Sequence, residues 1–207
     1  MKIIAIIEKP ITSGGGFNQA LNAIQQMNRL SVDKFDFSVV TPAKENIDSL
    51  KRLNIKADYV AITLLDKILS RLFPGRIWGQ ILATLKIVGP FEKELIKQNC
   101  DLVYLVEQSS RAECLQNLNF IETVHDLCHQ DQLEFPEVRN FGEFRARELV
   151  FQNTLTRAFI VMADSEELAD KINFRYGVDR DRIVTMPFSP SPFLKEPQVS
   201  DSANILK

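Results

Sequence analysis

The chain has few of the residues that usually mark a specialised chemical site. Its 207 residues include only two histidines and three cysteines, and Cys100, Cys114 and Cys128 have no CxxC spacing. An odd number of cysteines at such spacings is not typical of a disulfide framework or a zinc ribbon, and it favours a reducing compartment. We therefore expect a cytoplasmic protein.

The sequence also lacks a strong charge excess and a long apolar run. Lysine and arginine number 25 against 27 acidic residues, so no basic field argues for nucleic acid. The apolar run Ile3–Ile7 ends at Glu8 and Lys9, too early for a signal peptide. No run of about 18 apolar residues predicts a transmembrane helix. A first β-strand explains the N-terminus better.

Short apolar, β-rich segments recur along the chain. Several, such as "IIAII" and "LVYLV", are apolar throughout, as expected for a parallel sheet buried on both faces. The predicted strands are Ile3–Ile7, Phe35–Val40, Tyr59–Ile62, Leu102–Val106, Phe120–Val124, Phe159–Ala163 and Ile183–Met186.

Helical patterns lie between these strands. The predicted helices are Phe17–Leu30, Trp78–Lys97 with a break near Gly89-Pro90, Phe141–Leu155 and Ser165–Tyr176. We expect a capping box at the last one, with Asp164 as N-cap and Glu167 three residues on. Strands alternating with helices predict an α/β fold with a doubly wound, mainly parallel sheet of about seven strands, of the Rossmann-like type.

A glycine triplet, Gly14, Gly15 and Gly16, separates the first strand from the first helix. The spacing is not GxGxxG, Thr41 stands where a ribose-binding acid would be, and no GK[ST] follows. Dinucleotide and P-loop motifs are thus disfavoured. Two interpretations remain: a flexible turn, or a loop that a sugar or phosphate can approach closely at a helix N-terminus.

Both histidines lie in "NFIETVHDLCHQ", with His125 just past the carboxyl end of a predicted strand. In open α/β sheets ligands bind beyond those ends, so contact with a substrate is the favoured interpretation. A structural histidine is the second. A metal site of His125, His129 and a carboxylate such as Asp126 or Asp131 is disfavoured, because a loop carries them and no third strong ligand is evident. Glu107 occupies the same position after "LVYLV".

The motifs around and after His125 resemble those of family 4 retaining glycosyltransferases, which have the GT-B fold. The "HDL…H…FPE" element begins at His125, and the "RE" helix, the "Ser-Glu" helix start, "YGV" and the final strand follow in the family's order. These elements are Arg147-Glu148, Ser165-Glu166, Tyr176–Val178 and Ile183–Pro187. With "GGGFNQAL", the resemblance spans most of the chain and is weakest between residues 41 and 98.

The resemblance implies one half of a GT-B architecture. Residues 1–187 would form the N-terminal, mainly acceptor-binding domain, and residues 188–207 the interdomain linker. The donor-binding domain, with its E-x7-E motif, is missing from the sequence, since no glutamate has another eight positions later. The chain would then be either a truncated product or a half-enzyme that needs a partner chain to supply that domain. No metal and no further cofactor are implied.

The implied function is transfer of a sugar from a nucleotide-sugar donor to a glycan or lipid-linked acceptor, with little activity in the absence of the donor-binding half. Two alternatives stay open: a non-catalytic α/β domain that binds a glycan or a partner, and a sugar-nucleotide epimerase-like protein. Whether the chain is itself an enzyme is left undecided by the sequence.

The resemblance also implies roles for individual residues. The glycine loop would approach the diphosphate and acceptor, and His125 would hydrogen-bond the donor sugar or orient the acceptor, with a possible catalytic role as proton carrier. Asp126 is more readily explained as a residue that orders the loop. Further candidates for substrate contact are Glu107, Arg147, Glu148 and Ser165, of which Ser165 is also a candidate N-cap.

One amphipathic stretch, "LLDKILSRLFPGRIW" at residues 64–78, has two interpretations. Leu65, Ile68, Leu69 and Leu72 share one helical face, with Lys67, Arg71 and Arg76 nearby. A buried helix is the simpler one. The other is peripheral contact with the inner face of the membrane, which would suit a lipid-linked acceptor.

Overall fold

The computed structural model describes residues 1–10, 14–72, 80–82, 84–85, 87–139 and 142–188. A sheet of seven parallel strands forms the centre of the fold, in the order β3-β2-β1-β4-β5-β6-β7. The strands are β1 (Lys2–Ile6), β2 (Asp36–Thr41), β3 (Ala57–Tyr59), β4 (Leu102–Leu105), β5 (Asn119–Val124), β6 (Ile160–Ala163) and β7 (Ile183–Thr185). The predicted Rossmann-like α/β fold is confirmed.

Helices connect the strands as parallel pairing requires. They are α1 (Gly15–Ser31), α2 (Lys44–Arg52), α3 (Leu64–Leu72), α4 (Pro90–Lys97), α5 (Cys128–Asp131), α6 (Pro136–Arg139), α7 (Glu143–Thr154) and α8 (Glu166–Tyr176), with 3-10 helices at Ser110–Cys114 and Arg180–Arg182. Residues 80–82 and 84 are also helical.

The alternation of side chains along β1 shows how the two faces of the sheet are buried. Ile4 and Ile6 pack into a core with side chains of α4, α7 and α8, whereas Ile3 and Ala5 pack into a second core with side chains of α1 and α2. Successive residues of a strand point to opposite faces. The continuous apolar composition of the strands follows from burial on both sides.

The order in which strands are added to the sheet reverses between β1 and β4. Strands β1 to β3 extend the sheet to one side, and the chain then returns to place β4 on the other side of β1. A crevice forms at the carboxyl ends of the strands at such a switch point. The loops that follow β1, β4 and β5 therefore meet at one edge of the sheet.

Two sequence predictions are wrong in detail. The third strand is Ala57–Tyr59 and not Tyr59–Ile62. The N-cap of α8 is Ser165 and not Asp164, because the Ser165 hydroxyl accepts the Leu168 N–H at 3.2 Å while Asp164 accepts from the Ser165 hydroxyl at 3.1 Å. Aspartate and serine are both favoured at the N-cap, so the sequence alone does not show which of the two residues begins α8.

The break predicted near Gly89-Pro90 is present, since α4 begins at Pro90. Trp78, the predicted start of that helix, lies outside the described residues, and so does Phe141 at the start of the next. Helix α2 was not predicted because its exposed sequence has few apolar residues.

Helix α3 buries a different face from the one its leucines predict. Leu69 is buried, but Leu65 and Ile68 are 50% and 46% exposed, and Asp66 is buried instead. One Asp66 oxygen accepts the Thr63 N–H at 2.8 Å, and the other accepts the Phe91 N–H at 3.0 Å. The carboxylate thus caps its own helix and the start of α4 together.

Candidate functional site

The loop after β1 is fixed by a buried carboxylate. Glu107, just past β4, accepts the backbone N–H groups of Glu8 at 2.5 Å and Lys9 at 2.8 Å. Burial raises the pKa of Glu107, and these two hydrogen bonds oppose that rise only in part. Asn46 donates to the carbonyls of the same two residues. Lys9 is therefore held at the switch point between β1 and β4.

The N-terminus of helix α1 lies beside Lys9 and has no capping side chain among the described residues. Gly14 precedes the helix with φ of 69°, a conformation that favours glycine, and neither a capping side chain nor an acid occupies the first turn. A Cβ placed on Gly16 would lie 3.2 Å from the Lys9 ammonium nitrogen. The Lys9 ammonium group and the positive end of the α1 helix dipole therefore lie close together and both favour an anion there.

His125 follows β5 at the same edge of the sheet. Its imidazole packs against the Phe188 ring, with centroids 5.3 Å apart at 55°. Both ring nitrogens are buried, and neither has a hydrogen-bond partner within the described part of the chain. Burial and the positive charge of Lys9 lower the pKa of His125, so the ring is neutral near pH 7. A neutral imidazole can donate at one nitrogen and accept at the other.

His125 lines four surface cavities, which are named here after a helix or a glycine pair in their walls. The three larger ones are called hollows, and the smallest is called a pocket. The α7 hollow, of about 360 Å³, lies against Arg147, Val150, Ser109 and Ser110. The glycine hollow, of about 350 Å³, lies against Gly15, Gly16 and Lys9. The α8 hollow, of about 230 Å³, lies against Ser165 and Lys171. The α1 pocket, of about 40 Å³, lies between α1 and the ends of β4 to β7.

Most of the predicted site residues come together around these hollows. Gly15, Gly16, His125, Asp126, Arg147 and Ser165 all line at least one of them, and Gly14 adjoins Gly15. Asp126 also orders the loop, since its carboxylate accepts the Cys128 N–H at 3.0 Å. Arg147 pairs with Glu143 at 2.7 Å on the wall of the α7 hollow.

Two predicted site residues lie elsewhere. Glu107 is buried beneath the β1 loop, and Glu148 does not line any of the four cavities. The Glu148 carboxylate instead receives hydrogen bonds from four side chains on three elements: His129 at 3.1 Å, Gln130 at 2.6 Å, Tyr176 at 3.0 Å and Gln152 at 2.7 Å. A direct role in substrate contact for either glutamate stays a prediction.

His129 has a structural role, because it is hydrogen-bonded to Glu148. Its ring is fully buried, between the rings of Phe144 and Phe151. Burial opposes ionisation of Glu148, but the donated hydrogen bonds outweigh it and leave the pKa of Glu148 below its usual value. Glu148 thus ties α5, which continues the His125 loop, to α7 and α8.

Sequence reasoning missed several residues of the site. Lys9, Ser109 and Ser110 line the α7 hollow, and Phe188 covers His125. The rule that selected His125 and Glu107, a position just past a strand end, applies equally to Lys9. Phe188 carried no such signal, because it lies in a proline-rich segment that reads as a linker.

Neither a metal cluster nor a membrane span is found in the described part of the chain. Across those residues, no group of three or more histidine, cysteine, aspartate or glutamate side chains could hold a metal ion. None of the helices described has the length and apolar character needed to cross a bilayer.

No protein-family model matches the chain, and no curated protein is similar to it in sequence at a significant level. Solved structures match the fold. The UDP-GlcNAc 2-epimerase from Methanocaldococcus jannaschii matches at 13% identity with a TM-score of 0.52, over 89% of this chain and 45% of its own. The Staphylococcus aureus MnaA-UDP co-structure matches at 18% with a TM-score of 0.54, over 89% of this chain and 44% of its own.

A glycosyltransferase from Rickettsia africae also matches, at 14% identity and a TM-score of 0.46, over 90% of this chain and 42% of its own. The chain spans less than half the length of each of these three proteins. The likeness to the Methanocaldococcus jannaschii and Staphylococcus aureus structures shows that the chain has the fold of one Rossmann-like domain of a GT-B-like protein.

Proposed function

We propose that residues 1–187 form the acceptor-side domain of a nucleotide-sugar-dependent glycosyltransferase of the family 4 type, with residues 188–207 as its interdomain linker. The observation that carries the proposal is His125, whose two buried ring nitrogens have no hydrogen-bond partner among the described residues, at the junction of hollows large enough for sugar rings. One sugar hydroxyl can accept from the protonated ring nitrogen, and a second hydroxyl can donate to the other nitrogen.

The charge around His125 supports a phosphorylated ligand. The leaving group in transfer from a nucleotide sugar is a diphosphate, whose charge grows in the transition state. Lys9 and the N-terminus of α1 face the glycine hollow and supply positive potential there. Gly15 and Gly16 have no side chains. Part of the diphosphate and the acceptor can therefore come close to their backbone N–H groups.

Sugar transfer would need a donor-binding half in addition to this domain. A second domain or a partner chain would supply it. In this scheme His125 contacts the donor sugar or orients the acceptor hydroxyl, and Arg147 and Ser165 line the hollows on either side. Asp126 keeps the loop in shape. Purified 1–207 is accordingly expected to bind ligand but to transfer little or no sugar.

Titration of the isotope-labelled chain with UDP-GlcNAc, followed by amide NMR shifts, tests the proposal. Shifts should cluster at Gly15, Gly16 and His125. Lys9→Met should weaken binding by roughly 10-fold or more, as expected for loss of one charge-assisted hydrogen bond, while the exposed Lys34→Met serves as the matched control. Equal affinities for the two variants and the unaltered chain would contradict the assigned phosphate contact.

An epimerase-like function is the second candidate, favoured by the fold shared with the UDP-GlcNAc 2-epimerase structures. The two candidates differ in their need for an acceptor. An epimerase-type site acts on the nucleotide sugar alone, whereas a transferase site consumes the donor only when an acceptor sugar is added. Once the donor-binding half is supplied, assays with and without an acceptor separate the two.

Peripheral membrane contact is proposed for helix α3. Its exposed face carries Leu64, Leu65 and Ile68, with the basic Lys67 and Arg71, while its one acid, Asp66, is buried. Apolar side chains flanked by cations suit an anionic lipid surface. The helix also follows β3 at the same sheet edge as His125, so a lipid-linked acceptor would be delivered near the crevice.

Flotation with anionic phosphatidylglycerol vesicles and with neutral phosphatidylcholine vesicles tests this contact. The chain should float with the anionic vesicles, and the double variant Leu65→Ser/Ile68→Ser should not. Phe174→Ser is the matched control, because Phe174 is 88% exposed on the distant helix α8. Absence of flotation with either vesicle, or equal loss in the control, would refute the membrane role of α3.

A further inference from the structure

Phe188 brings an aromatic ring to the edge of the glycine hollow. It lies three residues past the end of β7, and its ring packs against the His125 imidazole. The other residues that line this hollow are Lys9, Gly15, Gly16, Gln19, His125 and Asp126. Among the described residues of the lining, Phe188 therefore provides the one large apolar surface.

The side chain of Phe188 is 52% exposed even though its ring contacts His125. A single exposed aromatic residue is common on protein surfaces, so exposure alone does not indicate a ligand. Phe188 is distinguished by its place, because it borders both the α1 pocket and the glycine hollow. The contact with His125 holds the ring there, and its remaining surface is a flat apolar area beside a polar cavity.

The polar groups around this ring are of the kind that bind sugar hydroxyls. The two buried ring nitrogens of His125 have no hydrogen-bond partner among the described residues. Lys9 carries an ammonium group, and the Asp126 carboxylate can accept several hydrogen bonds. A pyranose has hydroxyl groups around its edge and C–H groups on its faces. The faces gain from leaving water, whereas the hydroxyls need polar partners, and the glycine hollow offers both environments.

We infer that Phe188 is a specificity-determining residue on which one face of a pyranose stacks, while His125 hydrogen-bonds a hydroxyl at the edge of the same sugar. The inference rests on the proposed function, because it assumes that a sugar binds at His125. It adds the orientation of that sugar and a preference for pyranoses with a continuous face of C–H groups. It also makes the first residue of the proposed linker part of the ligand site.

Saturation-transfer difference NMR on the full 207-residue chain tests the inference, with methyl β-glucoside as the sugar probe and uridine as a second probe. The axial hydrogens of the glucoside point alternately to its two faces. Stacking should therefore saturate the hydrogens of one face more strongly than those of the other. Uridine is included because a nucleobase can also stack on an aromatic ring.

Three variants of Phe188 separate stacking from mere coverage of His125. A sugar face that covers about 40 Å² of the ring gains about fivefold in affinity, so Phe188→Ser should weaken glucoside binding by about that factor. Phe188→Leu should also weaken it, because leucine keeps an apolar cover on His125 but has no flat ring. Phe188→Tyr should preserve binding. Phe174→Ser, at an exposed phenylalanine of α8, is the matched control.

The outcomes separate the stacking role from the proposed function. Absence of glucoside saturation in the folded, unaltered chain contradicts the sugar site and the stacking role together. Equal saturation of the two faces, unchanged affinity in Phe188→Ser or Phe188→Leu, or an equal loss in Phe174→Ser overturns the stacking role alone. So does a loss in Phe188→Ser that affects uridine and not the glucoside. Weaker glucoside binding in Phe188→Ser and Phe188→Leu, with binding kept in Phe188→Tyr and Phe174→Ser, supports the inference.

Discussion

Glu122 should make the stability of this protein fall as the pH rises, and Glu122→Gln should remove that effect. The residue lies in the middle of β5, and its side chain has no exposed surface. Neither carboxylate oxygen has a hydrogen-bond partner in the described part of the chain. The nearby Thr154 hydroxyl donates to the Val150 carbonyl at 2.9 Å instead. The carboxyl group is thus buried without an obvious donor.

Burial raises the pKa of Glu122 from 4.5 to about 8, and the positive charge of Arg157 opposes that rise only in part. Arg157 is engaged elsewhere, since it donates to the Leu115 carbonyl and lies over the Phe120 ring. Glu113 adds a smaller rise. The folded chain therefore keeps the Glu122 proton in a pH range where the unfolded chain has lost it.

The sign and size of the effect follow from proton linkage. A group with a raised folded pKa destabilises the fold progressively as the pH rises from its unfolded value to its folded value, here from 4.5 to about 8. At about 1.4 kcal/mol per pH unit, the loss between pH 5 and pH 8 is about 4 kcal/mol. That is a large part of the 5–15 kcal/mol typical of a whole domain.

Urea unfolding followed by circular dichroism at pH 5, 6, 7 and 8 measures this loss. The free energy of unfolding of Glu122→Gln, relative to the unaltered chain, should rise by about 4 kcal/mol across that range, a relative shift in midpoint on the order of 1 M urea or more. Glu134→Gln, at an exposed position, is the control. Parallel pH profiles for Glu122→Gln and the unaltered chain would show that Glu122 is ionised when folded, through a pairing with Arg157, and would refute the reasoning.

Two further predictions concern the scaffold. Glu148→Ala should lower the free energy of unfolding by about 3 kcal/mol, because four donors lose their acceptor and His129 stays buried; Glu148→Gln should restore part of it in thermal melts. Gly89→Ala should lower the free energy of unfolding by about 1–3 kcal/mol, because the new Cβ would lie 2.4 Å from an Asp66 oxygen. Gly15→Ala is the control: its Cβ would meet no described atom within 4 Å, so the free energy of unfolding should change by no more than about 0.5 kcal/mol. A Gly89→Ala melt equal to that of Gly15→Ala would contradict the clash.

The sequence predicted the sheet well because local chemistry decides it. Strands buried on both faces must be apolar throughout, and that pattern survives without knowledge of the neighbours. The same pattern placed His125 directly after a strand, and in the structure it follows β5. Boundaries that depend on competing caps were less predictable: Asp164 and Ser165 are both good N-cap residues, and only the packed position of α8 selects Ser165.

The roles of the acidic residues could not be predicted for a different reason. A carboxylate in a sequence looks the same whether it faces a ligand, caps a loop or lies buried, and only tertiary contacts distinguish these states. Glu107 holds the Lys9 loop, and Asp66 joins α3 to α4. Glu148 ties three helices together, while the Glu122 carboxyl group has no hydrogen-bond donor among the described residues. Glu107 holds the backbone of Lys9, and Glu148 holds the helix that continues the His125 loop. The shape of the crevice thus depends on acids that need not themselves touch a ligand.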